Sequence, residues 1–260
     1  ASMAIPMMIS MLVQALYNVV DSVFVSRLSE NALTAVSLAF PLQNLMIAVA
    51  TGTGVGINAL LSRNLGEKNF PMVNRTAGNA IFLGLVSYVV FALIGLFGSR
   101  VYFTLQISDP EIIQMGQDYL SVIMVLSIGC FGQVLLSRLL QSTGKTFYSM
   151  VIQMVGAGLN IVLDPIMIFG LLGFPAMGVA GAALATVISQ VVGTLMGLYY
   201  NLRKNPEIQF AWNQLRPSAP IVARIYSVGV PSILLQTVSS LLIFGLNQIL
   251  VTFSETAAAV

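Results

Sequence analysis

Apolar residues run in long blocks along this chain, and polar residues gather between the blocks. Runs at 3–25, 33–61, 77–97, 117–138, 148–169, 178–200 and 220–252 are each long enough for a helix to cross hydrocarbon, which takes about 20 residues. The pattern predicts seven membrane helices, with the first half of 33–61 and the start of the last run irregular. An eighth helix is expected from Thr256. The polar connections are Ser26 to Glu30, Arg63 to Arg75, Gly98 to Glu111, Leu139 to Thr146, Gly170 to Met177 and Asn201 to Pro217.

Composition agrees with that reading. The 260 residues are 57% hydrophobic and 8% charged, with mean hydropathy +0.90; soluble domains carry about 25% charged residues. The fold class is all-α and polytopic membrane. The net charge of +2 comes with no basic cluster that could track phosphates, so nucleic acid is excluded as a partner. A single cysteine, Cys130, excludes an intrachain disulfide and a cysteine metal site. The chain has no histidine, which leaves proton chemistry to carboxylates. No signal peptide is evident, and the chain begins near the start of a membrane helix.

Lysine and arginine divide unevenly. The second, fourth and sixth connections hold Arg63, Lys68, Arg75, Arg138, Lys145, Arg203, Lys204, Arg216 and Arg224, whereas the odd ones hold Arg27 and Arg100. The positive-inside rule puts the even connections and the N-terminus in the cytoplasm. On this reading no lysine or arginine lies mid-helix in the first lobe.

The chain also repeats itself. Pro6, Val13, Ser29, Glu30 and Ala32 recur as Pro231, Val238, Ser254, Glu255 and Ala257, 225 positions later (231 − 6). Six helices separate the copies, and an even number keeps both in one orientation, as in parallel-repeat transporters. Residues 1–200 then form a six-helix lobe, 201–219 a cytoplasmic linker, and 220–260 the first helices of a second lobe. Asp21 has no counterpart in the second copy, where Leu246 stands.

The exceptional stretch is Gly156 to Phe169, which carries Asn160 and Asp164 inside a membrane run, followed by Pro165. Residues four apart share a helix face. An ionisable side chain in hydrocarbon costs roughly 2.5–3.5 kcal/mol on insertion scales and marks an ion path or a buried partner. Proline removes an amide hydrogen, so the helix is expected to kink or loosen at Pro165 and Asp164 to leave the helical region. Asp21, with Tyr17 four residues before it, is the second membrane carboxylate; it faces either Asp164 or the water at the end of its helix. Asn160 and Asp164 also fit polar contact between helices, and Thr186 fits close helix packing.

Three further motifs are weighed and set aside. Gly52 to Gly56 and Gly193 to Gly197 read as packing faces. Ser142-Thr-Gly-Lys-Thr146 ends like a phosphate loop but has Leu139 where the first glycine is needed. Asn74-Arg-Thr76 matches a glycosylation sequon on the side assigned to the cytoplasm.

Pro6 with Gln14 to Asp21, Ala39-Phe-Pro41, Gly52 to Gly56, Leu61 to Gly66, Gln141 to Gly144, Asn160 to Pro165 and Gly178 to Thr186 together resemble the multidrug and toxic compound extrusion (MATE) family, and its DinF-like branch in particular. The resemblance covers the whole chain. It implies two six-helix lobes around a central cavity, of which this chain holds the first and the start of the second. It also implies a first-lobe cation site made of Asp21, Asn160, Asp164 and Thr186, close to Tyr17, with either a proton or sodium as the coupling ion. No other cofactor is implied.

The function expected is a cation-coupled antiporter in the inner (plasma) membrane. It exports small amphipathic or cationic organic compounds by alternating access, with Pro6 and Pro165 as hinges. The remainder of the C-terminal lobe and the lipid bilayer are its partners. Two alternatives stand beside it. A lipid-linked saccharide flippase of the same superfamily needs several cationic groups in the cavity. An intramembrane aspartyl protease would use two membrane aspartates as acid and base, but Asp21 follows Val20 and Asp164 follows Leu163, so the signatures of that class are missing. No enzymatic activity is expected.

Overall fold

The computed structural model describes residues 4–209 and 215–253; within α1 it leaves out the side chains of 4, 7, 14, 15, 17–19, 21 and 22, and within the last helix most of those beyond 239. Eight α-helices occupy the described residues: α1 Ala4–Ser26, α2 Glu30–Gly66, α3 Phe70–Thr104, α4 Pro110–Val125, α5 Ile128–Ser142, α6 Thr146–Phe169, α7 Gly178–Lys204 and α8 Ala219–Phe253. Five of the described helices are long and apolar enough to cross a membrane, and α4 with α5 makes a sixth span bent by 44°. With α1 added, each of the seven expected runs is covered by helix.

The helices outrun the expected bounds because their ends are capped in the polar connections. Ser29 accepts from the Ala32 amide and starts α2. Asn69 does the same for α3 through Met72, and Asp109 for α4 through Glu111. Such caps satisfy amides that a helix start leaves open. Arg63, Arg75 and Arg138 thus lie within helices, and the turn between α2 and α3 shrinks to residues 67–69.

The chain is more regular than expected at three places and less so at a fourth. The first half of 33–61 is helical throughout, with Pro41 inside α2, and the start of the last run is helical from Ala219 through Pro231. Asp164, expected to leave the helical region, stays helical, and α6 runs on through Pro165. The neighbours hold these prolines in place, since α2 packs along α8 and α6 lies between α1 and α7. The run 117–138, expected as one helix, breaks instead at Leu126 and Ser127. Ser127 is fully buried there, and Gly129 follows with its α-carbon against the α7 backbone, where a Cβ would sit 3.0 Å from the Val191 amide nitrogen. Serine and glycine together are a recognised cause of helix bends. The eighth helix expected from Thr256 lies outside the described residues.

Small residues set the packing. A Cβ on Gly52 would meet Ile233 at 2.3 Å and one on Gly56 the Ile225 carbonyl oxygen at 2.1 Å, so this glycine run seats α8 on α2. Gly193 and Gly197 seat α7 on α5 through Gln133 and Leu136. Both runs are packing faces, as their spacing indicates. Two apolar clusters result. One joins Val25, Phe103, Tyr119, Phe131, Ile168 and Val179; the other joins Ile57, Leu61, Val73, Leu139, Ile208 and Ile225. Outside them, Leu93, Leu96, Phe97, Val162 and Leu195 stand exposed, a surface suited to lipid tails.

The second cluster is tied to the segment after α7. Lys145, in the α5–α6 turn, donates to Asn205 at 3.1 Å and pairs with Glu207. Asn74 accepts from the Gln209 amide and Asn79 from the Ser218 amide, both at 2.9 Å. The sequon asparagine therefore sits inside α3 and is engaged by the chain itself. Gly144, at φ 79°, makes the turn that presents Lys145. Burial works to raise the Glu207 carboxyl's pKa, but the Lys145 hydrogen bond and charge and a backbone hydrogen bond hold it below its ordinary value.

Candidate functional site

The site is built on α6, where Gln153, Asn160 and Asp164, with Ala157 between them, follow the 3.6-residue period along one face. Asp164 is 0% exposed, Asn160 2% and Thr186, on α7, 6%. The structure brings these three together. The Asn160 amide nitrogen donates to Asp164 Oδ1 and to Thr186 Oγ1, each at 3.3 Å, the long end of the range for such bonds. Among the described residues nothing donates to Asn160 Oδ1, which is buried.

Glycine decides that α7 comes this close. A Cβ on Gly181 would lie 2.4 Å from the Met167 carbonyl oxygen. Only a residue without a side chain allows that approach, and the Met177 amide donates to the same carbonyl at 3.0 Å. Gly170, left-handed at φ 73°, ends α6 and turns the chain back to make this contact. Thr186, five residues beyond Gly181, is thereby brought to Asn160.

The other expected members are on α1, which packs along α6. Tyr17 and Asp21 belong to that helix, but their side chains lie outside the described residues. Each short connection reverses the chain, so α1 and α6, the first and fifth spans, run the same way. Phe24 and Phe169 meet edge to face with ring centroids 6.5 Å apart. Position 21 is three residues before Phe24 and position 164 five before Phe169; at 1.5 Å per residue they lie about 4.5 and 7.5 Å above that ring pair. Helix register thus puts the two backbone positions at similar depth. Pro6 is third in α1 as described, and Ser2, whose carbonyl it would leave free, lies outside the described residues.

A cavity of about 340 Å³ opens beside the cluster, with Asn160 and Thr186 in its wall. α5 contributes Gln133, Ser137, Arg138 and Gln141, and α8 contributes Gln236. These residues were absent from the expected site. The sequence did carry a signal for them, because Gln133, Ser137 and Gln141 fall at i, i+4 and i+8 on one face of α5. Arg138 corrects the expectation that no cation lies mid-helix: α5 continues to Ser142, one turn further, and the guanidinium lines the cavity.

A buried carboxylate beside an amide and a hydroxyl, at the edge of a polar cavity between membrane helices, is an arrangement of transport proteins. The family model MatE matches residues 6–166, more than half of the sequence. The chain belongs to the MatE family. Its similarity to the multidrug export protein MepA of Staphylococcus haemolyticus is 28% identity over 98% of this chain and 56% of that protein. The fold superposes on an outward-facing multidrug resistance MATE family transporter of the MOP superfamily with TM-score 0.93 and 32% identity, over 99% of this chain and 57% of that one. A MOP superfamily transporter from Pyrococcus furiosus, described as having a binding pocket of reverse polarity that suggests a different function, gives TM-score 0.89 at the same identity and coverage. The chain spans about half the length of the curated relatives it matches. It is an all-helical, polytopic portion of a MatE transporter, covering the N-terminal lobe, and the family is one of transporters rather than enzymes.

Proposed function

We propose that this chain is the first lobe, residues 1–200, with a linker at 201–219 and the start of a second lobe at 220–260, of a DinF-like exporter. The exporter moves amphipathic or cationic organic compounds out of the cell in exchange for protons or sodium. The observation that carries this reading is the buried Asn160–Asp164–Thr186 cluster, whose Asn160 and Thr186 line the cavity. An ion taken up there changes the packing around the space a substrate would fill.

The donors suit that ion. Carboxylate, amide and hydroxyl oxygens bind hard cations such as sodium, and Asp21 would supply a second carboxylate from α1. The Asn160 amide nitrogen now bridges the two oxygens that a cation would bridge. Turning that amide by half a revolution exchanges its nitrogen and oxygen at nearly the same positions. Oδ1, the atom without a donor among the described residues, then joins Asp164 and Thr186 in facing a cation. Ion-bound and ion-free states thus differ by one amide rotation, and each favours its own packing of α1 against α6. The ion can bias alternating access only through such differential interaction. Pro6 and Pro165 are the hinge residues in this scheme.

The test is efflux by the full-length protein from proteoliposomes under an imposed sodium or proton gradient. Gradient-driven export of a cationic dye is expected, and Asp21→Asn is expected to abolish it. Unchanged ion dependence in that variant would move the coupling site out of this lobe. For orientation, with the N-terminus and the Arg63–Arg75 segment cytoplasmic in a plasma membrane, a cysteine at Lys68 should resist an impermeant thiol reagent in intact cells. Lys68 suits the purpose because it is exposed in a turn, whereas Lys145 is engaged with Asn205 and Glu207.

A further inference from the structure

The cavity holds a charge of unexpected sign. Arg138 lines it from α5, and no carboxylate is among the described lining residues. Two ion pairs form among the described residues, Arg63–Glu67 and Lys145–Glu207, and neither includes Arg138. The guanidinium is held in place all the same. Its stem crosses α2 at Gly54, where a Cβ would sit 2.8 Å from Arg138 Cγ. Nη1 donates to Gln141 Oε1 at 3.0 Å, and Gln141 Nε2 donates in turn to Ser149 Oγ on α6 at 2.8 Å. A guanidinium carries five N–H donors in a planar fork. One of them has a partner among the described residues.

We propose that Arg138 is the anion-recognising residue of the substrate cavity, and that the exporter's preferred substrates carry a carboxylate beside their apolar body. The inference rests on the exporter reading above and narrows its substrate class. A purely cationic compound would meet a guanidinium and neutral amides here, with no described carboxylate to receive it. A carboxylate matches the fork with two parallel hydrogen bonds and one charge with one charge. A phosphate dianion would leave half its charge unmatched by a single arginine. The neutral wall of Gln133, Ser137 and Gln153 then accepts the rest of the polar surface without fixing its sign. The opposite end of the cavity, at Asn160 and Thr186, belongs to the coupling ion, so an anionic group at Arg138 and a cation near Asp164 occupy separate places.

The experiment uses the full-length protein and a matched pair of probes: a xanthene dye with a free carboxylate and its methyl ester on the same skeleton. Binding is read by fluorescence anisotropy in detergent and export in proteoliposomes. The wild type is expected to bind the acid more tightly than the ester. Arg138→Gln should lower that acid-over-ester preference about tenfold, the scale of a lost charge-assisted hydrogen bond, and Arg138→Lys should keep part of it. Equal affinity of the wild type for acid and ester would overturn the proposal without recourse to any variant. So would an Arg138→Gln protein that loses acid and ester alike, which would make the arginine a brace for a carboxylate elsewhere in the full chain. Wild-type protein that exports neither dye removes the exporter reading itself, whereas export of both without preference removes only this one.

Discussion

Two asparagines, Asn160 and Asn201, are buried in neighbouring helices and differ in one respect. Asn201 is saturated: its nitrogen donates to the Leu136 and Gly197 carbonyls at 3.0 and 2.8 Å, and its oxygen accepts from Asn205 at 3.0 Å. Asn160 stretches one nitrogen over two partners at 3.3 Å and leaves its oxygen without a donor among the described residues. A saturated amide locks helix to helix. A half-used one costs stability, because a buried polar atom without a partner loses its hydration for nothing. Such a cost persists where a ligand periodically repays it. The same residue type therefore serves as a fastener at the linker end of the bundle and as a ligand at the cavity.

The comparison is broken most directly at the carboxylate. In the full-length protein Asp164→Asn should abolish gradient-driven export, a fall of at least about 100-fold, while the purified protein keeps its fold. An amide there preserves shape and removes the charge that binds the ion. Export at wild-type rate, measured in proteoliposomes, would make Asn160 and Asp164 ordinary helix contacts.

Asn201→Leu should do the reverse. It leaves the Asn205 amide without its acceptor, at about 1–3 kcal/mol for a group stranded in the interior, and takes the second donor from two carbonyls that keep their helix bonds. A lower melting temperature is expected, with the ion dependence of the surviving folded protein unchanged. An altered ion dependence at full stability would erase the distinction between the two asparagines.

Thr186→Ala should weaken the coupling ion about 3- to 10-fold, as loss of one neutral ligand removes roughly 1 kcal/mol. The cation concentration that gives half-maximal export reports it. If Thr186 serves only helix packing, the variant will match the wild type.

The smallest effect belongs to the fastener's ion pair. Glu207 has its pKa lowered in the folded protein, so the pair contributes stability above the ordinary glutamate value and loses it as pH falls through the lowered one. Lys145→Met should therefore narrow the stability difference between neutral and acid pH. The change should be slight, since Glu207 is partly exposed to solvent. Thermal melts at several pH values would show it, and a variant with the wild-type pH profile would assign the anchoring to Asn74 and Asn79 alone.

Much of this was legible in the residues. Long apolar blocks dictate membrane helices because each backbone amide must be satisfied within its own segment. That physics is local, so the positions of the runs held. The ends did not, since caps such as Ser29 and Asn69 lengthen a helix into polar sequence. The effect of the prolines is limited for a related reason. Pro41, Pro165 and Pro231 are helix breakers by local rule, yet each lies inside a continuous helix packed against its neighbours. The break came instead at Leu126–Ser127, beside a glycine, where packing on α7 sets the direction of the chain.

The sequence by itself determined that the chain is a membrane protein, that Asn160 and Asp164 share a face, and that this face is chemically exceptional. Spacing along one helix is a local property, and a carboxylate in hydrocarbon is costly wherever the helix lies. Only the tertiary structure decided that Thr186 reaches Asn160, through Gly181, where a Cβ would lie 2.4 Å from the Met167 carbonyl oxygen. The same holds for Arg138, which the residue pattern assigned to a connection and the packing of α5 against α2 turns into the cavity. Which helices meet, and how closely, depends on small residues distant in sequence, and no single helix encodes that.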